Sequence, residues 1–139
     1  MEEIILYSDG GARGNPGDAG IGLVFTNADG KILGTVKRYI GKATNNQAEY
    51  TALIKGLEKA MDYGAERVKA VLDSELVVRQ LKGEYKVRNP TLLNLYIQVM
   101  ALEKGFKQVK YSHVSRENDK IKIADRLVNE AIDEKVKGS

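Results

Sequence analysis

Apolar residues in the first third of the chain come in short blocks separated by glycine and polar residues, the pattern of strands rather than helices. Ile4 to Asp9 reads as a buried strand whose apolar run closes on Ser8 and Asp9. Gly10 to Gly17, with Pro16, reads as a turn-rich loop. Gly20 to Thr26 and Ile32 to Ile40 read as two strands joined around Asn27-Ala-Asp-Gly30, a hairpin signal of the Asp-Gly kind.

The period then lengthens. Thr44 followed three residues later by Gln47 matches a capping box, and Leu53, Leu57, Ala60 and Met61 continue at helical spacing up to Gly64. Val68 to Asp73 is a short strand, Ser74 caps a helix through about Leu81, and Asn89-Pro90 opens another that ends near Gly105. Phe106 to His113 is a fifth strand. A loop from Val114 to Asp119 leads into a last helix with Ile123, Leu127 and Ala131 on one stripe and Val128 and Ile132 beside it. The order βββαβααβα, without repeat or linker, predicts an α/β domain: one mixed sheet covered by helices.

At 139 residues the economical expectation is one domain, residues 1–139. No apolar run approaches the ~20 residues of a membrane span, and no signal sequence opens the chain, so the expectation is a cytoplasmic protein without membrane association. The chain has no cysteine and one histidine. Disulfides and thiolate nucleophiles are excluded and a zinc site of the usual ligand set is disfavoured, so a catalytic metal here would be a hard cation held by oxygen. Net charge is +3, which allows a polyanionic partner without demanding one. Between Arg79 and Arg88 stand four basic residues, Arg79, Lys82, Lys86 and Arg88, against Glu84, with Tyr85 among them. By themselves these make a solvated face.

Four carboxylates occupy places where structure alone would not put them. Asp9 and Asp73 end two predicted strands, and in open α/β sheets ligands collect outside the carboxyl ends of parallel strands. Two carboxylates on neighbouring strands, roughly 4.8 Å apart, repel unless a cation lies between them. Glu49 precedes Ala52 and Leu53 of the apolar face by three and four, so it leans toward the core. Asp125 stands three and seven before Val128 and Ile132, near the buried side of the last helix. Glu49 and Asp125 each have a plain alternative as a first-turn acid favoured by the helix dipole. Their convergence on one sheet edge fits Mg²⁺, which takes a few carboxylates with water and phosphate oxygens, and a pair of such ions supports phosphodiester hydrolysis.

The segments Tyr7-Ser-Asp9-Gly-Gly-Ala-Arg-Gly-Asn-Pro-Gly17, Thr44-Asn-Asn-Gln-Ala-Glu49-Tyr50, Leu72-Asp73-Ser74 and Ala124-Asp125-Arg-Leu-Val-Asn129 resemble the ordered motifs of type 1 ribonuclease H. The resemblance covers essentially the whole chain. It implies a ribonuclease H-like fold with a five-stranded mixed sheet, and hydrolysis of the RNA strand of an RNA/DNA hybrid with Mg²⁺ or Mn²⁺, leaving 3′-hydroxyl and 5′-phosphate ends. It makes Asp9, Glu49, Asp73 and Asp125 the quartet that holds two ions, with Asp9 bridging. It places Gly14, Asn15, Asn45 and Asn46 at RNA 2′-hydroxyls, Thr44 at a DNA-strand phosphate, and His113 as the family's mobile-loop histidine. Thr44 and the Asn pair are also simple helix-capping residues.

Two departures carry expectations of their own. His113 and Asp125 are twelve residues apart, longer than the family's usual spacing, with the excess in Asp119 to Ile123. Asp119 is the substitute candidate, but Asp125 is favoured because Ala-Asp-Arg-Leu-Val-Asn-Glu-Ala matches the motif and Asp119 has no helical apolar partners in register. The basic handle of some relatives is absent or reduced to Lys82-Gly-Glu-Tyr-Lys-Val-Arg-Asn89, which makes Arg79, Lys82, Lys86 and Arg88 candidate phosphate contacts. The expected partner is a hybrid duplex and the expected state a monomer. Two other classes remain open: a nucleic-acid-binding module of this fold without chemistry, and a related nuclease such as a junction resolvase or a 3′–5′ exonuclease.

Overall fold

The computed structural model describes residues 1–138. Five strands form one sheet: β1 (Glu3–Gly14), β2 (Gly17–Thr26), β3 (Ile32–Ala43), β4 (Arg67–Leu72) and β5 (Gln108–His113), in spatial order β3-β2-β1-β4-β5. The first three run antiparallel, and β4 and β5 join parallel to β1. Helices α1 (Asn45–Asp62), α2 (Glu75–Leu81), α3 (Pro90–Glu103) and α4 (Asp119–Lys137) complete the predicted order. No described helix is long and apolar enough to cross a membrane.

The capping box forms as the sequence requires: Thr44 Oγ1 accepts from the Gln47 N–H at 3.2 Å, and Gln47 Oε1 accepts from the Thr44 N–H at 2.8 Å. Strand alternation then divides the sheet between two layers. Ile4, Leu6, Ile21, Leu23 and Phe25 pack with Leu53 and Leu57 of α1 in the main core, which Val99 of α3 joins. Val24 faces the other way, against Ala124 and Leu127 of α4, with Tyr7 and Ile123 at the edge.

Two bare backbones seat these helices. A Cβ on Gly10 would lie 2.2 Å from the Ala48 carbonyl oxygen of α1, and one on Gly22 would lie 2.0 Å from the Ala124 oxygen of α4. Neither neighbour is a side chain that can swing aside. Gly22→Ala is therefore expected to lift α4 from the sheet and to cost about 3 kcal/mol, the upper end of overpacking effects, read as a lowered urea midpoint. An unchanged midpoint would show that the helix rides more loosely than this contact allows.

The sheet corrects one expectation plainly. Gly10 to Gly14 are strand, not loop; β1 continues to Gly14, and the hairpin turns at Asn15-Pro16, whose peptide bond is cis. Glycines that read as turn punctuation serve here for close approach within a strand. Smaller shifts follow from pairing: β2 begins at Gly17, β3 runs to Ala43, and β5 begins at Gln108.

Candidate active site

Register explains why the acids meet. The parallel pairing of β1 with β4 ends at Tyr7↔Val71. Two residues further along each chain come Asp9 and Asp73, side by side where β4 stops at Leu72 and β1 goes on with β2 alone. Asp9 thus lies just beyond the end of the parallel ladder, and it does not end its strand as the sequence suggested. Glu49 comes from α1, drawn close by Gly10, whose N–H donates to Glu49 Oε1 at 3.5 Å. One carboxylate oxygen from each of Asp9, Glu49 and Asp73 lies within 4.8 Å of the others.

Asp125 arrives by a separate route. Gly22 is the antiparallel partner of Asp9, and Ala124 rests on Gly22, so the next residue of α4 lies beside Asp9. Asp125 lines the same cavity, of about 680 Å³, as the other three acids. It is exposed, not turned toward the buried side of α4 as its spacing implied. The final helix starts at Asp119, the last residue of the loop that the sequence suggested: Asn118 caps it, with Oδ1 accepting from the N–H groups of Lys120 and Ile121. The extra residues Asp119 to Ile123 are therefore helix, and Asp119 does not line the cavity.

The electrostatics of the cluster are unfavourable without a cation. Burial, and then the charges of Asp73 and Asp125, push Asp9 up to about 8. Glu49 is raised well above the usual carboxylate range, chiefly by burial and then by Asp9 and Asp73. Its Oε2 is buried with no hydrogen-bond partner. An orphaned carboxylate oxygen among like charges, with oxygen the main donor type, suits a hard divalent ion; the four acids fit Mg²⁺ or Mn²⁺ on that chemistry. His113, at the end of β5, lines the rim.

A second cavity of about 370 Å³ adjoins the first, lined by Asn15, Thr44, Asn45, Asn46, Gln47, Asn89 and Leu92. Asn45 and Asn46 line both. The N-termini of α1 and α3 converge here, each presenting N–H groups and the positive end of its dipole. Asn15 Oδ1 accepts from the Asn45 N–H at 3.0 Å, and Asn45 Oδ1 accepts from the Ala12 N–H at 2.8 Å. With both oxygens engaged by backbone, the NH₂ groups of these amides remain as donors. Gly14, at φ +105°, supplies the left-handed step into the hairpin tip.

The basic segment divides. Arg79 is held by Glu84 at 3.2 Å and Glu75 at 3.8 Å and lies over the Tyr85 ring. Lys82, with Arg79 and His113, borders a small cavity. Lys86 and Arg88 are exposed, make no ion pair among the described residues, and lie outside the acid cavity. Sequence reading did not assign several of the polar residues at these cavities to the site, among them Arg13, Asn89, Arg116 and Asn129. Asn89 had a sufficient explanation as a cap, Arg13 and Asn129 stood inside the motif segments without a role of their own, and Arg116 carries no signal beyond its type.

Acids gathered where a three-stranded antiparallel unit meets parallel strands, in order β3-β2-β1-β4-β5, define the ribonuclease H-like class of α/β domains. Residues 7–131 match the family model described as reverse transcriptase-like, and the chain belongs to the ribonuclease H family. It is 45% identical to LC11 ribonuclease H1, whose structure in complex with RNA/DNA hybrid matches with a TM-score of 0.90 over 96% of this chain and 99% of that one. The ribonuclease H1 of the archaeon Halobacterium salinarum is 40% identical, with a TM-score of 0.90 over 95% and 98% of the two chains. The bifunctional protein Rv2228c of Mycobacterium tuberculosis is 46% identical over 132 residues. That match takes in 94% of this chain and only 36% of the mycobacterial protein, so the chain spans little more than a third of this curated relative.

Proposed function

We propose that residues 1–139 form a single ribonuclease H domain that hydrolyses the RNA strand of RNA/DNA hybrids and leaves 3′-hydroxyl and 5′-phosphate ends. The observation that carries this reading is the acid cluster with its orphaned Glu49 oxygen, set beside a polar cavity fed by two helix N-termini. A related enzyme of 45% identity is known in complex with such a hybrid. Asp9, Glu49, Asp73 and Asp125 would hold two divalent ions, Mg²⁺ or Mn²⁺. When bound, these ions supply Lewis-acid charge at the phosphodiester and lower the pKa of water.

The chain's own groups account for recognition. Asn15, Asn45 and Asn46 offer amide donors along the passage between the two cavities, where 2′-hydroxyls distinguish RNA from DNA. Thr44, whose Oγ1 accepts from Gln47, still has its hydroxyl proton to give to a phosphate of the DNA strand. The Gly14 turn sets Asn15 at the edge of this passage. His113, at the rim, can move a proton near neutral pH.

Labelled RNA/DNA hybrid, double-stranded RNA, duplex DNA and a four-way junction, each with Mg²⁺, Mn²⁺ or chelator, test the proposal. Cleavage confined to the RNA strand of the hybrid and lost with chelator is expected. Junction or DNA cleavage would favour the related nucleases, and binding without cleavage the inert module.

Arg79, Lys82, Lys86 and Arg88 complete the proposed substrate surface. The two without ion pairs make the sharper test. Changing Lys86 and Arg88 together to Ala is expected to weaken hybrid binding and to make the dependence of log affinity on log salt shallower by about 2, one counterion equivalent for each lost phosphate contact. An unchanged slope removes this segment from the substrate surface.

A further inference from the structure

Asp125, Asn129 and Asp133 follow one another at intervals of four on α4 and so share one stripe of the helix. Two of the three are gripped from across the groove by a single side chain of β1. Arg13 Nη1 lies 2.7 Å from Asp133 Oδ1, and Arg13 Nη2 donates to Asn129 Oδ1 at 3.2 Å and to the Asn129 carbonyl at 3.4 Å. The guanidinium holds the Asp133 carboxyl below its usual range. Asn129 in turn donates from Nδ2 to the Asp125 carbonyl at 3.0 Å, so the chain of contacts runs from Arg13 to the residue that carries the fourth acid.

The glycine seat leaves this grip something to decide. Gly20 and Gly22 meet α4 at the backbone of Val128 and Ala124. Those contacts set the depth of the helix on the sheet, and its buried face, Ile121 to Ile132, sets the coarse rotation. The last few degrees are left to the polar contacts at its side, those of Arg13 and the Lys37–Glu134 pair at 2.6 Å. Asp125 lies on that side, exposed, and a few degrees of rotation swing its carboxylate toward or away from Asp9. The planar fork of Arg13 spans two partners one turn apart, which a point charge cannot do.

We propose that Arg13 is a positioning residue for Asp125: by clamping Asn129 and Asp133 it sets the rotation of α4 and so the direction of the Asp125 carboxylate. The inference rests on reading the acid cluster as a divalent-cation site. Arg13 and Asp133 are 43% and 47% exposed. Exposed ion pairs contribute little to global stability. Losing the clamp therefore changes orientation far more than folding, which makes the two separable.

The test compares wild type, Arg13→Ala, Arg13→Lys, Asp125→Asn and the double variant Arg13→Ala/Asp125→Asn in two measurements. One is the Mg²⁺ concentration that gives half-maximal thermal stabilisation in the absence of substrate. The other is kcat and KM on a hybrid. Arg13→Ala is expected to raise the Mg²⁺ midpoint by about tenfold, as loss of groups that orient metal ligands does, and to lower kcat at fixed Mg²⁺ while KM stays constant. Arg13→Lys falls between, and in the Asp125→Asn background Arg13→Ala adds nothing further.

A raised KM with an unchanged Mg²⁺ midpoint would make Arg13 a substrate contact and overturn the inference. So would an Arg13→Ala effect of equal size with and without Asp125, or a loss of melting temperature with no change in Mg²⁺ midpoint. Wild type that Mg²⁺ stabilises, with Arg13→Ala indistinguishable from it, overturns the role of Arg13 alone. Wild type that Mg²⁺ does not stabilise overturns the cation site and the inference together.

Discussion

Asp9→Asn is expected to abolish cleavage of an RNA/DNA hybrid while making the metal-free protein more stable. The loss in kcat should reach at least about three orders of magnitude, because several kcal/mol of charge stabilisation depend on the cluster. The gain in stability follows from the same carboxylate. Asp9 sits among Glu49, Asp73 and Asp125, buried, and is pushed up to about 8. At neutral pH the folded protein must take up a proton there that the unfolded chain does not hold, and Asn removes that cost. Asp119→Asn is the control: its residue lies in the first turn of α4, outside the cavity, and cleavage should persist. Kinetics on a labelled hybrid and urea unfolding in chelator check the two halves. Asp9→Asn that retains activity, or Asp119→Asn that loses it, would refute the assignment.

The second large effect is the response of stability to pH and its reversal by a divalent cation. The folded-state pKa values of Asp9 and Glu49 are raised, so between the ordinary carboxylate range and about 8 the native state holds more protons than the unfolded state. Stability in chelator is accordingly greatest in acid, as far as these groups contribute, and is lost as pH rises through that window. Mg²⁺ binds the ionised carboxylates, competes with their protons, and should release protons on binding. Its stabilisation is therefore expected to be small at pH 5 and large at pH 8, with the slope of stability against pH in saturating Mg²⁺ shallower than in chelator. Thermal melts over pH 5 to 9 with and without Mg²⁺ read this directly. A chelated protein whose stability rises across that range would contradict the cluster's electrostatics.

Much of this was legible in the chain because local rules decided it. Thr44 with Gln47 announced the start of α1, and both side chains make the reciprocal bonds of a capping box. Ser74 and Asn89-Pro90 opened α2 and α3 where expected. The acids were conspicuous because carboxylates beside apolar runs need a reason, and Asp9, Glu49 and Asp73 do come together. What failed were inferences in which one residue type serves two purposes. Gly10 and Gly11 read as loop because glycine permits turns, yet β1 continues through them. Asp125 read as leaning inward from its spacing to Val128 and Ile132, yet it faces the cavity from an exposed position. Asn89 looked complete as a cap and proved to stand in the wall of the polar cavity as well.

The sequence by itself determined the order of elements and singled out the acids as candidates, since capping, periodicity and the absence of cysteine depend on near neighbours and composition. Tertiary structure alone decided how those acids meet. The end of the β1–β4 ladder puts Asp73 beside Asp9, Gly10 lets α1 bring Glu49, and Gly22 seats α4 so that Asp125 arrives next to them. Each of these is a distance between segments far apart in the chain, set by strand register in the first case and by backbone contact at a glycine in the other two, and no local pattern encodes it.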